Sequence, residues 1–293
     1  MDDATGGRIG VLVDDAIYTE SPRWHDGWLW FSDMGAGEVC RVSLDGRKEV
    51  MVSGLFTPSG LGWTQSGDLL IACIHNTTIF RVGADNIPRV FCGPEQHGTL
   101  GTNDMATAGD RSYVTCSGRE YQKGDSFETL ALPVGQILLI DHLTGESRSV
   151  AGGMKMPNGV AISPDGRTLV VAELFAMRLL RFDIGADGSL SGQRVIAEFD
   201  HIIDGLALDA EGAVWVGATG TNKFKRVDAS GKLVEVVDVP GWGCIAPMLG
   251  GPDGRSLFMA VSQMDNPDAI FEGRAKARIL RTDVAVPAAA QAV

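Results

Sequence analysis

The sequence predicts an all-β fold, namely a six-bladed β-propeller with four-stranded blades around a central channel. Three observations support this prediction: one phrase of short strands and tight turns recurs six times, its copies start 39 to 55 residues apart, and no segment has the pattern of a helix of normal length. A period of about 40 to 50 residues with three or four strands per repeat is typical of propellers. We expect residues 1–293 to form a single propeller domain.

The repeats are recognised by their first strand and the turn that follows it. The clearest copy is NGVAISPDGRTLVVAELFAMRLLRFDIGADG, in which apolar runs of strand length alternate with turn residues. A β-sandwich would not explain why this phrase recurs in the same phase, and a TIM barrel requires eight helices. The six copies start at Glu20, Ser59, Asn103, Asn158, Asp204 and Ala246.

The segment GRIGVLVDD near the start of the chain has strand character but belongs to no complete repeat. In a propeller, the first and the last repeats must meet so that the ring closes. We therefore predict that residues 8–14 pair as the outer strand of the last blade, beside ARILRTDV.

Composition and charge exclude several classes of partner. The net charge of −12 argues against nucleic acid and against an anionic membrane surface. No apolar run approaches the roughly 18 residues of a membrane span, and the acidic start predicts no secretory signal. The five cysteines form no C-x-x-C pair and indicate reduced, buried thiols in a cytoplasmic protein. The oligomeric state is not predicted.

The stretch MPNGVAISPDG contains two turn-like pairs, Asn158-Gly159 and Asp165-Gly166. By turn preferences alone, Asn158 is interpreted as a turn residue. However, Glu20 occupies the corresponding position of the first repeat, ahead of Pro22, where no turn preference favours glutamate. The position therefore favours oxygen-bearing side chains for a second reason.

That reason is the geometry of a propeller, in which the first residues of the innermost strands surround one mouth of the channel. We expect the side chains of Glu20, Asn103, Asn158 and Asp204 to converge there, with Asp104 beside them. Carboxylates that lie close together repel one another unless a cation or a proton intervenes. Because all these donors are hard oxygens, they favour calcium, magnesium or manganese over zinc.

Four phrases, ESPRW, PNGVAISPDGRTL, IIDGLALDAEGAVWV and LGGPDGRSLFM, resemble the family of senescence marker protein, gluconolactonase and luciferin-regenerating enzyme. The resemblance covers about Glu20 to Val286 and implies one divalent metal ion in the channel and a small-molecule lactone as substrate. It implies that Glu20, Asn158 and Asp204 bind the metal and that Asn103 contacts metal or substrate. Calcium is the preferred ion, with zinc, manganese, magnesium and iron as alternatives.

The predicted substrate contacts differ from those of sugar lactonases. Members that act on sugar lactones often carry an arginine two residues before the asparagine, where this sequence has Gly101. Glu120 and Tyr121, in an insertion of the third repeat, are predicted to line the mouth. These differences leave room for a less polar substrate. Three further predicted contacts are apolar: Met105, Phe175 and Trp242.

The expected reaction opens a lactone to a hydroxy acid. The metal polarises the carbonyl group while a carboxylate activates water. Asp204 is the candidate for activating water, and Asp104 is the alternative because a carboxylate bound to a cation is a weak base. Two other functions remain open, a calcium-dependent phosphotriesterase-like hydrolase and a non-enzymatic binding scaffold. The scaffold leaves the ring of acids and amides unexplained.

Overall fold

The structure is a computed structural model that describes residues 8–93, 96, 98–120, 122, 125 and 130–290. Within these residues, the strands form six four-stranded antiparallel sheets, each of which is one blade of a propeller. The predicted fold class is therefore confirmed, whereas a single domain over residues 1–293 stays a prediction. In the described part of the chain, no helix is long and apolar enough to cross a membrane.

The chain passes through the blades in order. Its strands are short, with five to nine residues each, apart from one strand of three. The elements are β1 Gly10–Ala16, β2 Thr19–His25, β3 Trp28–Asp33, β4 Glu38–Val42, β5 Lys48–Val52, β6 Pro58–Trp63, β7 Leu69–Cys73, β8 Thr78–Val82, β9 Pro88–Cys92, β10 Thr102–Ala108, β11 Arg111–Cys116, β12 Gly135–Asp141, β13 Ser147–Met154, β14 Pro157–Ile162, β15 Thr168–Glu173, a 3-10 turn Leu174–Ala176, β16 Arg178–Ile184, β17 Leu190–Glu198, β18 Leu206–Leu208, β19 Val214–Ala218, β20 Lys223–Val227, β21 Leu233–Asp238, β22 Gly243–Gly250, β23 Ser256–Gln263, α1 Asp268–Phe271 and β24 Lys276–Asp283.

The ring is closed by the N-terminal strand, as predicted. The first five blades are β2–β5, β6–β9, β10–β13, β14–β17 and β18–β21, and the last blade consists of β22, β23, β24 and β1. β1 pairs antiparallel with β24, with Gly10 opposite Arg281 and Ala16 opposite Ala277. The backbone hydrogen bonds between β1 and β24 therefore hold the segment that leads into the first blade against the last blade.

The hydrophobic core lies mainly between neighbouring blades. One cluster joins the first and last blades through Phe31, Phe258 and Ile279, all of which are completely buried. All five cysteines are buried, in agreement with the sequence prediction. Because the blades bury their faces against one another, the innermost strands are held in a fixed ring around the channel.

The innermost strands, β2, β6, β10, β14, β18 and β22, begin at the same end of the channel, which we call the channel mouth. The turns β3–β4, β7–β8, β15–β16 and β23–β24 lie at this end, because neighbouring strands alternate in direction. Five innermost strands have a β-bulge near the mouth. A bulge places an extra residue in one strand and redirects its side chains.

The bulges correct the alignment of the repeats in two blades. Asn158 lies within its bulge, whereas Glu20 lies one residue earlier, in a regular pair, so Ser21 occupies the equivalent position. Ala246 follows the bulge of β22, at a position equivalent to Val160, and is therefore two residues beyond the predicted position. Sequence alignment could not detect these shifts, because a bulge adds a residue without changing the apolar pattern around it.

The Asn158-Gly159 pair is not a turn, and the turn interpretation is wrong. β14 runs through both residues, and the Gly159 amide donates a hydrogen bond of 3.2 Å to the Asp204 carbonyl oxygen. A Cβ atom on Gly159 would lie 2.6 Å from the Leu206 nitrogen. Gly159 is therefore required by the close approach of the fifth blade. The second pair does form a turn, since Gly166 has a φ of +68°.

We expect Gly159→Ala to lower the free energy of unfolding by about 1–3 kcal/mol, because the added methyl group would overlap the backbone of the fifth blade. Urea unfolding monitored by tryptophan fluorescence measures this change. Gly152→Ala is the matched control, since the nearest atom to its Cβ would be 3.8 Å away, in a flexible side chain. Equal midpoints for the two variants would contradict this account of Gly159.

Candidate active site

The oxygen-bearing side chains predicted for the site all lie at the channel mouth. Glu20 is on β2, Asn103 and Asp104 are on β10, and Asn158 is on β14, while Asp204 lies two residues before β18. Their exposures range from 4% to 7%, so all five are buried. Chain closure thus brings together residues from four different blades.

Hydrogen bonds at the mouth connect these blades. The Ser59 hydroxyl donates to Asn103 Oδ1 at 3.1 Å and joins the second and third blades. The Ser21 hydroxyl donates to Asp104 Oδ1 at 3.0 Å and joins the first and third blades, which are not neighbours. This second bond therefore crosses the channel and places Asp104 close to its axis.

The carboxyl groups at the mouth repel one another. Burial, followed by the charges of Asp204 and Asp104, raises the pKa of Glu20 well above its ordinary value. Burial and the charge of Asp104 raise the pKa of Asp204 to about 7. Burial, followed by the charges of Glu20 and Asp204, also raises the pKa of Tyr18. The mouth is therefore a place where negative charge is costly without a cation or bound protons.

One oxygen of this group lacks a protein partner. Asp204 Oδ1 is buried and accepts no hydrogen bond from any described residue. A buried polar atom without a partner costs about 1–3 kcal/mol, so its presence requires an explanation. In the described ranges, no three side chains of the His, Cys, Asp and Glu types form a metal-binding group by themselves. The predicted ligand set has two carboxylates and an amide, which are donors that calcium accepts.

Residues 18–263 match the family described as the SMP-30/Gluconolactonase/LRE-like region. The chain belongs to this family. It is 24% identical over 298 residues to 6-deoxy-6-sulfogluconolactonase of Pseudomonas putida, with 96% of each chain covered. It is 24% identical over 275 residues to regucalcin of Xenopus laevis, covering 87% of this chain and 86% of that protein.

The fold resembles that of a solved structure of regucalcin, a calcium-binding protein from Agrobacterium tumefaciens. The TM-score is 0.80, the sequence identity is 21%, and the match covers 99% of this chain and 97% of that chain. At this identity, the likeness supports the fold and not the chemistry of the site. The family assignment agrees with the resemblance on which the sequence prediction relied.

In this SMP-30/gluconolactonase-like protein, Asp104 is tightly held by hydrogen-bond donors. Its Oδ1 accepts hydrogen bonds from the Arg23 guanidinium, from the Ser21 hydroxyl and, at 2.8 Å, from the Met105 amide. Its Oδ2 accepts a long bond of 3.4 Å from the Val160 amide. These donors hold the Asp104 carboxylate in place, whereas Asp204 Oδ1 accepts no hydrogen bond from any described residue.

The predicted substrate contacts have different positions. Glu120 is half-buried, and its Oε1 accepts a bond of 3.4 Å from the Thr77 hydroxyl at the mouth. Phe175 is half-buried in the 3-10 turn at the mouth. The half-buried Trp242 ring has the Arg278 guanidinium 4.8 Å from its centroid. Tyr121 lies outside the described residues.

Met105 differs from expectation. It is completely buried and packs with Leu70, Val114 and Leu138 between the second and third blades. A contact between Met105 and a substrate at the mouth would require this core to rearrange. Met105 is the first residue after the bulge of β10 and pairs with Val114.

Arg23 and Ser21 were not predicted to lie at the site, although both belong to the phrase ESPRW. The Arg23 side chain is only 17% exposed, and its guanidinium bonds to Asp104 and to the Met105 carbonyl oxygen at 2.8 Å. Arg23 thus supplies a fixed positive charge beside the carboxylates. This contact could not be predicted from a local pattern, because it joins the first blade to the third.

We expect Arg23→Met to destabilise the protein by about 3–5 kcal/mol, because it leaves the buried Asp104 carboxylate without its cation. Arg89→Met is the control, since the Arg89–Asp85 pair is 60% and 46% exposed and a solvent-screened pair contributes little to stability. Adding Asp104→Asn to Arg23→Met should recover part of the loss. The urea midpoints of the unaltered protein and of the three variants measure these changes. Equal losses of stability in Arg23→Met and Arg89→Met would contradict the role assigned to Arg23.

Proposed function

We propose that this protein is a divalent-metal-dependent hydrolase that opens a lactone to a hydroxy acid. The proposal is carried by the buried pair Glu20 and Asp204. The pKa values of both carboxyl groups are raised. Asp204 Oδ1 has no hydrogen-bond partner among the described residues. Membership of the SMP-30/gluconolactonase-like family supports the reaction class. A full-length relative named as a sulfogluconolactonase supports a lactone substrate, and the oxygen donors at the mouth support calcium.

Glu20, Asn158 and Asp204 would hold the cation, because they combine two charges with an uncharged oxygen donor at the buried mouth. A bound divalent cation would supply Lewis-acid polarisation of the lactone carbonyl group. Its charge would also relieve the repulsion between the carboxylates, so binding of the metal and ionisation of both acids are coupled.

Asp204 is proposed as the general base. Its Oδ1 takes one proton from the attacking water as the new C–O bond forms at the carbonyl carbon. The ring C–O bond then breaks, and the leaving alkoxide oxygen receives that proton, which gives the hydroxy acid. Asp204 Oδ1 has no hydrogen-bond partner among the described residues, so it is free to accept that proton.

Asn103 and Asp104 have supporting roles in this proposal. Asn103 Oδ1 accepts a bond from Ser59, which leaves the Nδ2 amide group of Asn103 to donate to the substrate. Asp104 is a positioning residue, because it fixes Arg23 and Ser21 of the first blade against the third blade. The arrangement of the side chains at the channel mouth thus depends on hydrogen bonds that cross the channel.

The test is a panel of γ- and δ-lactones and one phosphotriester, assayed for acid release before and after chelation. We expect lactone hydrolysis to disappear on chelation and to return with calcium, while manganese, magnesium, zinc and iron serve as comparisons. Elemental analysis of the purified protein identifies the resident ion. Lactone hydrolysis that survives complete metal removal would overturn the proposal, and faster turnover of the phosphotriester would favour the alternative hydrolase.

A further inference from the structure

Three aromatic rings, Phe56, His75 and Phe271, contact one another at the channel mouth, and we call them the aromatic cluster. The centroids of Phe56 and His75 are 5.3 Å apart and those of His75 and Phe271 are 4.8 Å apart, with the rings edge to face in both pairs. Phe56 is 58% exposed and Phe271 is 41% exposed. Exposed rings grouped in this way are typical of a binding surface.

The aromatic cluster adjoins the candidate active site. Phe56 lies three residues before Ser59, whose hydroxyl binds Asn103. His75 lies in the β7–β8 turn, two residues before Thr77, whose hydroxyl binds Glu120. Two or three residues of extended chain span at most about 10 Å, so the rings stand at the rim beside these polar groups.

The cluster is built by the link between the first and second blades, by the second blade and by the last blade, and it is held in place. α1, between β23 and β24 of the last blade, buries Ala269 and Ile270 in the core cluster that joins the last and first blades. A Cβ on Gly35 would lie 3.3 Å from the Ile270 carbonyl oxygen, so this segment lies directly on the β3–β4 turn of the first blade. It thereby brings Phe271 to His75 of the second blade.

A second contact fixes the orientation of the histidine. His75 Nδ1 lies 3.2 Å from the Thr57 hydroxyl, and the His75 backbone amide donates to the same hydroxyl at 3.1 Å. The ring faces of the two phenylalanines are therefore presented by an anchored scaffold. A preformed apolar surface binds an apolar group with little loss of conformational entropy.

We propose that the aromatic cluster selects lactones that carry an apolar aryl or alkyl substituent over polyhydroxylated lactones. The inference rests on the proposed function, because the candidate active site determines where the lactone ring lies. An apolar substituent that covers the exposed rings removes apolar surface from water. A sugar hydroxyl placed against the same ring carbons would lose its hydrogen bonds to water without gaining a partner.

The experiment compares γ-phenyl-γ-butyrolactone, unsubstituted γ-butyrolactone and glucono-δ-lactone in the metal-loaded protein. We expect the phenyl compound to have the highest kcat/KM. Phe56→Ala and Phe271→Ala should each lower kcat/KM for it about tenfold, mainly through KM, and should change the value for γ-butyrolactone less than twofold. Leu143→Ala is the control, because this side chain is 82% exposed in the β12–β13 turn, at the opposite end of the blade.

Two results would overturn the inference. One is a higher kcat/KM for glucono-δ-lactone than for the phenyl compound, and the other is an equal loss for both butyrolactones in the phenylalanine variants. If no lactone is hydrolysed, the proposed function fails, and binding of the two butyrolactones by saturation-transfer NMR decides the inference separately. Preferential binding of the phenyl compound that is lost in Phe271→Ala supports it, and equal binding of the two compounds contradicts it.

Discussion

Replacement of Asp204 with asparagine is expected to lower kcat/KM for lactone hydrolysis about a thousandfold, because the base and a metal ligand are lost together. The same change should stabilise the metal-free protein at pH 8, since it removes one of three repelling carboxylates at the mouth. Opposite effects on activity and stability distinguish loss of the site from misfolding. Initial rates and urea midpoints in chelator measure the two quantities.

The control for this variant is Asp165→Asn. Asp165 lies in an exposed turn before Gly166, and an Asn-Gly pair serves a turn as well as Asp-Gly does. We expect its activity and its calcium binding to be unchanged. Calcium titration by calorimetry should show no binding to Asp204→Asn at concentrations that saturate the unaltered protein. Calcium binding and turnover close to normal in Asp204→Asn would exclude Asp204 from both roles.

The metal-free protein is expected to lose stability as the pH rises from about 5 to about 8. The pKa of Asp204 is raised from 3.8 to about 7 in the folded state, so the folded protein binds more protons than the unfolded chain between these values. Stability from this group is therefore present at low pH and is lost as the pH passes through 7. Between pH 5 and pH 7 the loss is ~1.4 kcal/mol for each pH unit, so it is on the order of 3 kcal/mol in total.

Calcium should reverse this loss at pH 8 and have little effect at pH 5, because the cation competes with the bound protons. At one hundred times its dissociation constant, a ligand that binds the folded state alone stabilises it by ~2.7 kcal/mol. Thermal unfolding in chelator and in calcium, across pH 5 to 8, measures both trends. Asp204→Asn serves as the reference, since its curve in chelator should be flatter. A chelated protein that gains stability between pH 5 and pH 8 would contradict the electrostatic account.

The architecture and the polar residues that converge at the channel mouth could be predicted from the sequence. Six copies of one phrase predicted six blades, and the unpaired segment near the N-terminus predicted the strand that closes the ring. Asn103, Asn158 and Asp204 were found because repeats in the same phase place equivalent residues at the same end of the channel. Local pattern suffices here, since each blade is a meander of short strands with its own turns.

The contacts of individual side chains depend on the folded ring. Strand β14 runs through Asn158, which turn preferences alone assign to a turn. Met105 packs in the core, and Arg23 of the first blade bonds to Asp104 of the third. The aromatic cluster could not be predicted from the sequence either, because its three rings come from the first-to-second blade link, the second blade and the last blade. A strand pattern has a period of two and fixes which face a residue occupies, but a single inserted residue reverses that face. Contacts across the channel depend on the closure of the whole ring, which no local segment encodes.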